Sequence, residues 1–310
     1  MPSDTKRRMP LEIDGDGVMK GVEIDDSFDL SLPFFHHAVN DFMERNPDAE
    51  PIEIGSEERL AFPDREPMGI IYHASRCGST LIGQALARLE NTVVFSEAQP
   101  INSSIHWAKT ERTRAIRSIF NAMASGVMSE QLFIKQTSIN VVRLSSVLAA
   151  YPSVPWIFVY RHPVEIMVSV ERSKTGWARQ YGQPFSHFSL GVEERAVEGL
   201  SFEEYMALAL DRMFTKAMER DDGHGLFIDY ADLNPDVMVR IATHFGLEPN
   251  QDQITAMTGA FNVYSKDASR EKRHNTNDSD DKRREASAAI REAAELPLAS
   301  YDRLRNRRGV

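Results

Sequence analysis

Residues 69–83 read GIIYHASRCGSTLIG, and this stretch decides the fold. Gly69 to His73 is a short apolar run without alternation, which is typical of a strand buried on both faces of a parallel sheet. Apolar residues recur at helical spacing after Gly78, so the polar residues 74–80 lie between a strand and the start of a helix. Backbone N–H groups and the positive end of the helix dipole meet at such a junction, which predicts an anion-binding loop.

The loop is not a Walker A motif, because position 73 is His rather than Gly and position 79 is Ser rather than Lys. Its cation is Arg76, whose planar fork of donors suits a group with several anionic oxygens. A phosphatase loop built on Cys77 would need Arg at position 83, which is Gly83, and no papain-like signature surrounds the thiol. We therefore predict that Cys77 contributes its backbone amide to the loop.

Composition narrows the class of protein. The chain has 310 residues, of which 42% are hydrophobic and 26% charged, as in a soluble globular protein. A single cysteine fits a reducing compartment, and neither a signal peptide nor an apolar run near the roughly 20 residues of a membrane span is visible. We expect a cytoplasmic location. The net charge of −10 argues against non-specific binding to nucleic acid, whereas a local cationic cluster could still bind a small anion.

Strands and helices alternate from Gly69 onward, which predicts an α/β fold with a central parallel sheet flanked by helices. We predict an N-terminal extension or covering segment over residues 1–66, with a mobile or extended lead-in over 1–20, followed by the main α/β domain over 67–310. A helix is expected at about 101–125, and a C-terminal helix is expected to end near Glu295. The predicted strands are Gly69–His73, Thr92–Phe95, Leu132–Lys135, Trp156–Tyr160 and Leu226–Tyr230.

A second candidate anion site follows the strand Trp156–Tyr160. Arg161 stands at the end of that strand, and Pro163 fits the first turn of the next helix. Ser169 lies eight residues after Arg161, about two helical turns on. A cation and a hydroxyl in these positions can hold a phosphate. An isolated pair of this kind is also compatible with a surface ion pair and a serine bonded to its own helix backbone.

The two motifs together resemble those of sulfotransferases that use 3′-phosphoadenosine 5′-phosphosulfate (PAPS). Strand–S-R-x-G-S-T-L–helix resembles their 5′-phosphosulfate loop, and strand–R-x-P–helix–S resembles their 3′-phosphate motif, over roughly residues 69–270. His162 departs from the aspartate frequent in the family. The resemblance implies a P-loop-like sulfotransferase fold, PAPS as co-substrate with PAP as product, and no metal. It implies nucleotide binding by Arg76, Cys77, Gly78, Ser79, Thr80, Leu81, Arg161 and Ser169.

Further positions match the branch that includes tyrosylprotein and many bacterial sulfotransferases. By this resemblance Glu97 is the general base, while Lys135 and Arg76 stabilise the bridging oxygen of the leaving nucleotide. Tyr230 resembles a tyrosine that touches the nucleotide. Ser265 and Lys266 lie in a polar segment similar to loops that close over the cofactor phosphates. A solvated glutamate, a snorkelling lysine and a core tyrosine are the ordinary alternatives.

The predicted function is transfer of the sulfuryl group of PAPS to a hydroxyl or amine. The acceptor, a small molecule, a lipid or a peptide, is left open. One alternative is a nucleotide-dependent phosphotransferase with an atypical phosphate loop. Another is a nucleotide-binding module without catalysis.

Overall fold

A computed structural model of the chain describes residues 7–13, 18–107, 112–174, 176–220, 223–262 and 278–307. The predicted fold class is confirmed, since the main domain is a parallel sheet flanked by helices. The strands are β1 (Arg7–Ile13), β2 (Met19–Ile24), β3 (Pro51–Ile54), β4 (Gly69–His73), β5 (Thr92–Ser96), β6 (Gln131–Lys135), β7 (Trp156–Tyr160) and β8 (Gly225–Asp229).

Helices surround both sheets, and several short 3₁₀ turns join them. The α-helices are α1 (Phe35–Arg45), α2 (Ser56–Ala61), α3 (Ser79–Leu86), α4 (Gln99–Trp107), α5 (Arg112–Ser125), α6 (Leu144–Ala150), α7 (Pro163–Arg172), α8 (Ser186–Leu190), α9 (Phe202–Met218), α10 (Pro235–His244), α11 (Gln251–Thr258), α12 (Asp278–Glu285), α13 (Ala288–Ala293) and α14 (Glu295–Asn306). None of these described helices is both long and apolar enough to cross a membrane.

The main sheet has five parallel strands in the order β5-β6-β4-β7-β8. All five strands were predicted from the sequence. The main difference is at β8, which ends at Asp229, so that Tyr230 begins a 3₁₀ turn rather than closing the strand. Asp229 accounts for this end, because its side chain accepts a hydrogen bond from the amide of Ala231 and turns the chain.

The core lies on both faces of this sheet. Along β7, Trp156, Phe158 and Tyr160 enter one hydrophobic cluster, while Ile157 and Val159 enter the other. Burial on both faces explains why this strand is apolar without alternation. The central position of β4 therefore brings the loop that follows it into the middle of the carboxyl edge of the sheet.

Two predictions about helices need correction. The expected helix at about 101–125 corresponds to α4 and α5, with residues 108–111 outside the described residues. The expected single C-terminal helix ending near Glu295 is wrong, because three helices occupy this region and the last continues to Asn306. Ser287 caps the second of them by accepting a hydrogen bond from the amide of Ile290, which starts a new helix in the middle of the predicted one.

The N-terminal region forms strands where it is described, which agrees with the extended form of the predicted lead-in, since β1 covers residues 7–13 and β2 begins at Met19. Strands β1, β2 and β3 form an antiparallel sheet. Its buried side chains, including Met9 and Val22, belong to the same hydrophobic cluster as Trp156 of the main sheet. Packing against that core stabilises these strands, whose pairing into one sheet was not predicted from the sequence.

Candidate active site

The carboxyl edge of the main sheet brings the predicted site residues side by side. In the strand order β5-β6-β4-β7-β8, Glu97 follows β5, Lys135 ends β6, the anion loop follows β4, Arg161 follows β7 and Tyr230 follows β8. The carboxyl end of each strand thus places one predicted residue or loop at the same edge of the sheet. Ligands of open α/β sheets bind at this edge, where loops and helix N-termini meet.

The anion loop after β4 has an unusual backbone. Ser75 and Arg76 have φ of 71° and 52°, and Gly78 has φ of 85°. A Cβ atom on Gly78 would lie 2.8 Å from a methyl of Leu233 and 3.0 Å from the ring of Tyr230, so glycine is required there by both its φ and the available space. No side chain caps the start of α3, whose first-turn amides are therefore available to an anion.

The Cys77 thiol lies in the core. It is fully buried and donates a hydrogen bond to the carbonyl of Val159 at 3.1 Å. The side chains of Ser79 and Thr80, at the start of α3, are also buried. The loop therefore presents its backbone, together with the Arg76 side chain, to the edge of the sheet.

Residues of the two predicted anion motifs are in direct contact. The Arg76 Nε donates to the Ser169 Oγ at 2.7 Å, and an amino group of Arg161 donates to the Arg76 carbonyl oxygen at 3.3 Å. These contacts join residues that are 85 and 93 positions apart in the sequence. Residues predicted from separate motifs are consequently direct neighbours.

Arg161 is buried within a polar cluster that no sequence motif predicts. Its Nε donates to Glu165 at 2.6 Å, and another of its nitrogens donates to the Ser279 hydroxyl at 3.1 Å. The Arg283 Nε donates to the second Glu165 oxygen at 2.7 Å. Burial alone would raise the pKa of Glu165, but the bonds from Arg161 and Ser279 and the charge of Arg283 lower it below its usual value.

Part of this cluster opens into a cavity of about 280 Å³. Of the residues predicted to bind a nucleotide, Leu81, Arg161 and Tyr230 line it, together with Glu165 and Ser279. The Arg161 guanidinium lies 4.1 Å from the centre of the Tyr230 ring. The cavity therefore has an aromatic face, apolar walls and charged groups of both signs, which suits a planar ligand that can form hydrogen bonds.

On the other side of the loop, Glu97 and Lys135 form an ion pair. The backbone of Glu97, with φ of 54°, is fixed by a hydrogen bond from its amide to the Lys135 carbonyl at 2.8 Å. Burial opposes ionisation, yet the Lys135 ammonium and a hydrogen bond from His73 outweigh it and hold the pKa of Glu97 well below its usual range. The carboxylate is ionised at neutral pH.

The two members of this pair differ in exposure. The Lys135 side chain is fully covered, whereas 24% of the Glu97 side chain is exposed. The Lys135 ammonium lies 5.1 Å from the centre of the Phe34 ring, which belongs to the N-terminal region. The N-terminal region therefore forms one wall of the candidate site, and Glu97 is the member of the pair that a ligand can reach.

His73, the last residue of β4, lies between the loop and this pair. Its Nδ1 accepts a hydrogen bond from the Ser75 amide at 3.1 Å, and its Nε2 lies 3.0 Å from the Gln136 carbonyl oxygen. The same Nε2 is 3.5 Å from a Glu97 carboxylate oxygen. The ring is buried, and it lies between the anion loop and the Glu97 carboxylate.

Some of the residues at this site that were not predicted could have been found from the sequence. Glu165 stands four residues after Arg161, a spacing that pairs side chains on a helix, and His73 ends a strand as Lys135 does. No local pattern marks Ser279, Arg283 or Phe34, which reach the site from distant parts of the chain. The predicted Ser265 and Lys266 lie outside the described residues.

Within the described part of the chain, no group of three or more histidine, cysteine, aspartate or glutamate side chains is arranged to hold a metal ion.

Several solved structures are similar to this chain, although no protein-family model and no curated protein sequence matches it. Sulfotransferase STF9 from Mycobacterium avium is 13% identical, with a TM-score of 0.43 over 74% of each chain. A sulfotransferase domain from the Synechococcus PCC 7002 olefin synthase is 13% identical, with a TM-score of 0.44 over 76% of this chain and 96% of its own. Mouse sulfotransferase SULT7A1 complexed with PAP is 14% identical, with a TM-score of 0.39 over 68% and 70%. All three are sulfotransferases, the family that the two sequence motifs resemble.

Proposed function

We propose that this chain is a sulfotransferase that moves the sulfuryl group of PAPS to a hydroxyl or amine. The observation that carries the proposal is the contact of Arg76 with both Ser169 and Arg161. Through it, the loop that resembles a 5′-phosphosulfate site and the motif that resembles a 3′-phosphate site become one continuous polar surface that carries two guanidinium groups. A ligand with two anionic ends is the class that such a surface fits.

The remaining groups fit a phosphorylated adenosine. The uncapped amides at the start of α3 can hold one anionic end, and Arg161 with Ser169 can hold the other. The Tyr230 ring lies against Arg161 and lines the cavity beside it. When bound, PAPS supplies a sulfuryl group of single negative charge, which guanidinium, ammonium and amide groups can stabilise.

Glu97 is the proposed general base, and Lys135 controls its basicity. The carboxylate is ionised at neutral pH and partly exposed, so it can accept a proton from an acceptor group. In the proposed reaction, negative charge that develops in the site competes with Glu97 for the Lys135 ammonium, and this weakens the interaction that most lowers the pKa of Glu97. The carboxylate then becomes a stronger base at the stage at which the proton must move.

The test is calorimetry with adenosine 3′,5′-bisphosphate and, separately, ATP. We expect the wild type to bind the bisphosphate more tightly than ATP without added metal. Arg161→Ala should weaken bisphosphate binding by at least about tenfold, because a charged hydrogen bond to the phosphate is lost. The control is Arg195→Ala, since Arg195 is an exposed residue whose side chain pairs with Glu193.

Other outcomes would point to the alternatives. Tighter binding of ATP with a requirement for Mg²⁺ would contradict the proposal in favour of a phosphotransferase. Tight bisphosphate binding without turnover of any acceptor in a broad screen would indicate a binding module.

A further inference from the structure

His73 occupies the centre of the site without belonging to either predicted anion motif. It ends β4, the strand between β6 and β7, and only 5% of the residue is exposed. Lys135 stands at the end of the neighbouring β6, and Arg161 follows β7 on the other side. A buried imidazole in this position must be accommodated by specific hydrogen bonds.

These hydrogen bonds define the tautomer. A backbone amide can only donate, so the bond from the Ser75 amide requires Nδ1 of His73 to be unprotonated. A backbone carbonyl can only accept, so the Gln136 carbonyl 3.0 Å from Nε2 places the proton on Nε2. The ring is therefore neutral, and its one N–H points toward the Gln136 carbonyl and the Glu97 carboxylate 3.5 Å away.

The same ring thus lies beside two residues whose backbone is strained. Ser75 and Glu97 both have positive φ, a conformation that costs free energy in residues other than glycine and persists where neighbours hold it. One nitrogen of His73 binds the amide of the first residue, and the other faces the side chain of the second. The separation between the anion loop and the carboxylate is consequently set by a single rigid ring.

We propose that His73 is a positioning residue that holds the anion loop and Glu97 at a fixed separation, so that the bound donor and the base meet the same acceptor atom. This inference rests on the proposed sulfotransferase function. His73 does not act as the base itself, because taking up a proton on Nδ1 would break the bond to the Ser75 amide. Orienting reacting groups in this way contributes to the rate without contact with the substrate.

Two substitutions separate the functions of the two nitrogens. The His73→Asn side chain keeps an acceptor near the position of Nδ1, and the His73→Gln side chain keeps a donor near that of Nε2. We expect His73→Asn to bind adenosine 3′,5′-bisphosphate as the wild type does but to lose about fivefold to tenfold in kcat. We expect His73→Gln to bind the bisphosphate about fivefold more weakly while retaining most of its kcat at saturating PAPS.

The control is His244→Ala. His244 is a partly buried histidine whose Nε2 lies within hydrogen-bond distance of the backbone carbonyls of Trp156 and His224, on the amino edge of the sheet. It should lower the urea midpoint without changing either the bisphosphate Kd or kcat. Equal losses in Kd and kcat for both His73 variants, or a loss of stability alone, would overturn the positioning role. A Glu97→Gln variant that keeps its rate while His73→Asn loses all activity would make His73 the base and overturn it too.

A wild type that fails to bind the bisphosphate would instead overturn the proposed function, and the positioning role with it.

Discussion

Two carboxylate–cation pairs lie at the carboxyl edge of the main sheet, and they differ in which member can be reached. In the pair beside β7, both Arg161 and Glu165 are buried, with side-chain exposures of 4% and 3%. In the pair beside β5 and β6, Lys135 is covered while Glu97 is partly open. The first carboxylate is enclosed by two guanidinium groups and a hydroxyl, whereas the second faces the site.

The difference indicates separate tasks for chemically similar pairs. An enclosed pair whose remaining hydrogen bonds are satisfied fixes geometry, and removing one member leaves the other buried without compensation. A pair with one open carboxylate can exchange a proton with a ligand. We therefore expect substitutions in the first pair to lower stability, those of Arg161 to weaken nucleotide binding as well, and those in the second pair to change catalysis.

The largest effect is expected for Glu97→Gln. The amide cannot take a proton from the acceptor, so kcat should fall by about 10²- to 10⁴-fold, while the Kd for adenosine 3′,5′-bisphosphate stays near that of the wild type. Steady-state kinetics with PAPS, together with calorimetry, measure both. Glu193→Gln, at an exposed residue, is the matched control. An unchanged kcat would remove Glu97 from the role of base.

Glu165→Gln should mainly affect stability rather than catalysis. Loss of the charge leaves Arg161 buried without its partner, so the free energy of unfolding should fall by about 3 kcal/mol in urea denaturation, with a much smaller change in kcat than in Glu97→Gln. Arg283→Gln is an internal comparison, because Arg283 is half exposed and its pair with Glu165 should contribute less. Equal stability of Glu165→Gln and wild type would show that the enclosed pair does not fix the fold.

A smaller effect is expected in the pH dependence. In the wild type the pKa of Glu97 is lowered. The ionised carboxylate therefore contributes fully to the free energy of unfolding above the unfolded-state pKa near 4.5, and this contribution is lost only as the pH falls through the lower folded-state pKa. Lys135→Met removes the main cause of that depression and leaves burial to raise the pKa of Glu97. The kcat/KM of the variant should then fall several-fold between pH 7 and 5, a decrease that Glu97 does not produce in the wild type. Parallel pH–rate profiles in this range would contradict the assignment.

The elements that were predicted correctly depend on short stretches of sequence. Buried parallel strands are continuous apolar runs, so β4 and β7 were located to the residue, and the motif spacing placed Ser169 about two helical turns beyond Arg161. The parallel order of the strands then brought Arg76 to both of them. The polar N-terminal strands had no such signal, because their order depends on packing against residues far along the chain.

The cluster around Glu165 also depends on residues that are far apart in the sequence. Its partner Arg161 is four residues away and could be predicted from helical spacing, whereas Ser279 and Arg283 are separated from it by 114 and 118 positions. Their contacts arise from the docking of α12 on α7, which no short motif encodes. The contact of Tyr230 with Arg161 likewise could not be predicted from β8, because Tyr230 lies in the 3₁₀ turn that follows this strand.

The coverage of Lys135 by Phe34 and Glu97 has a practical consequence. An amine-directed label should modify surface lysines such as Lys20 in the folded protein and leave Lys135 untouched. Mass spectrometry of the labelled peptides would then report, from one native side chain, whenever the N-terminal wall separates from the sheet.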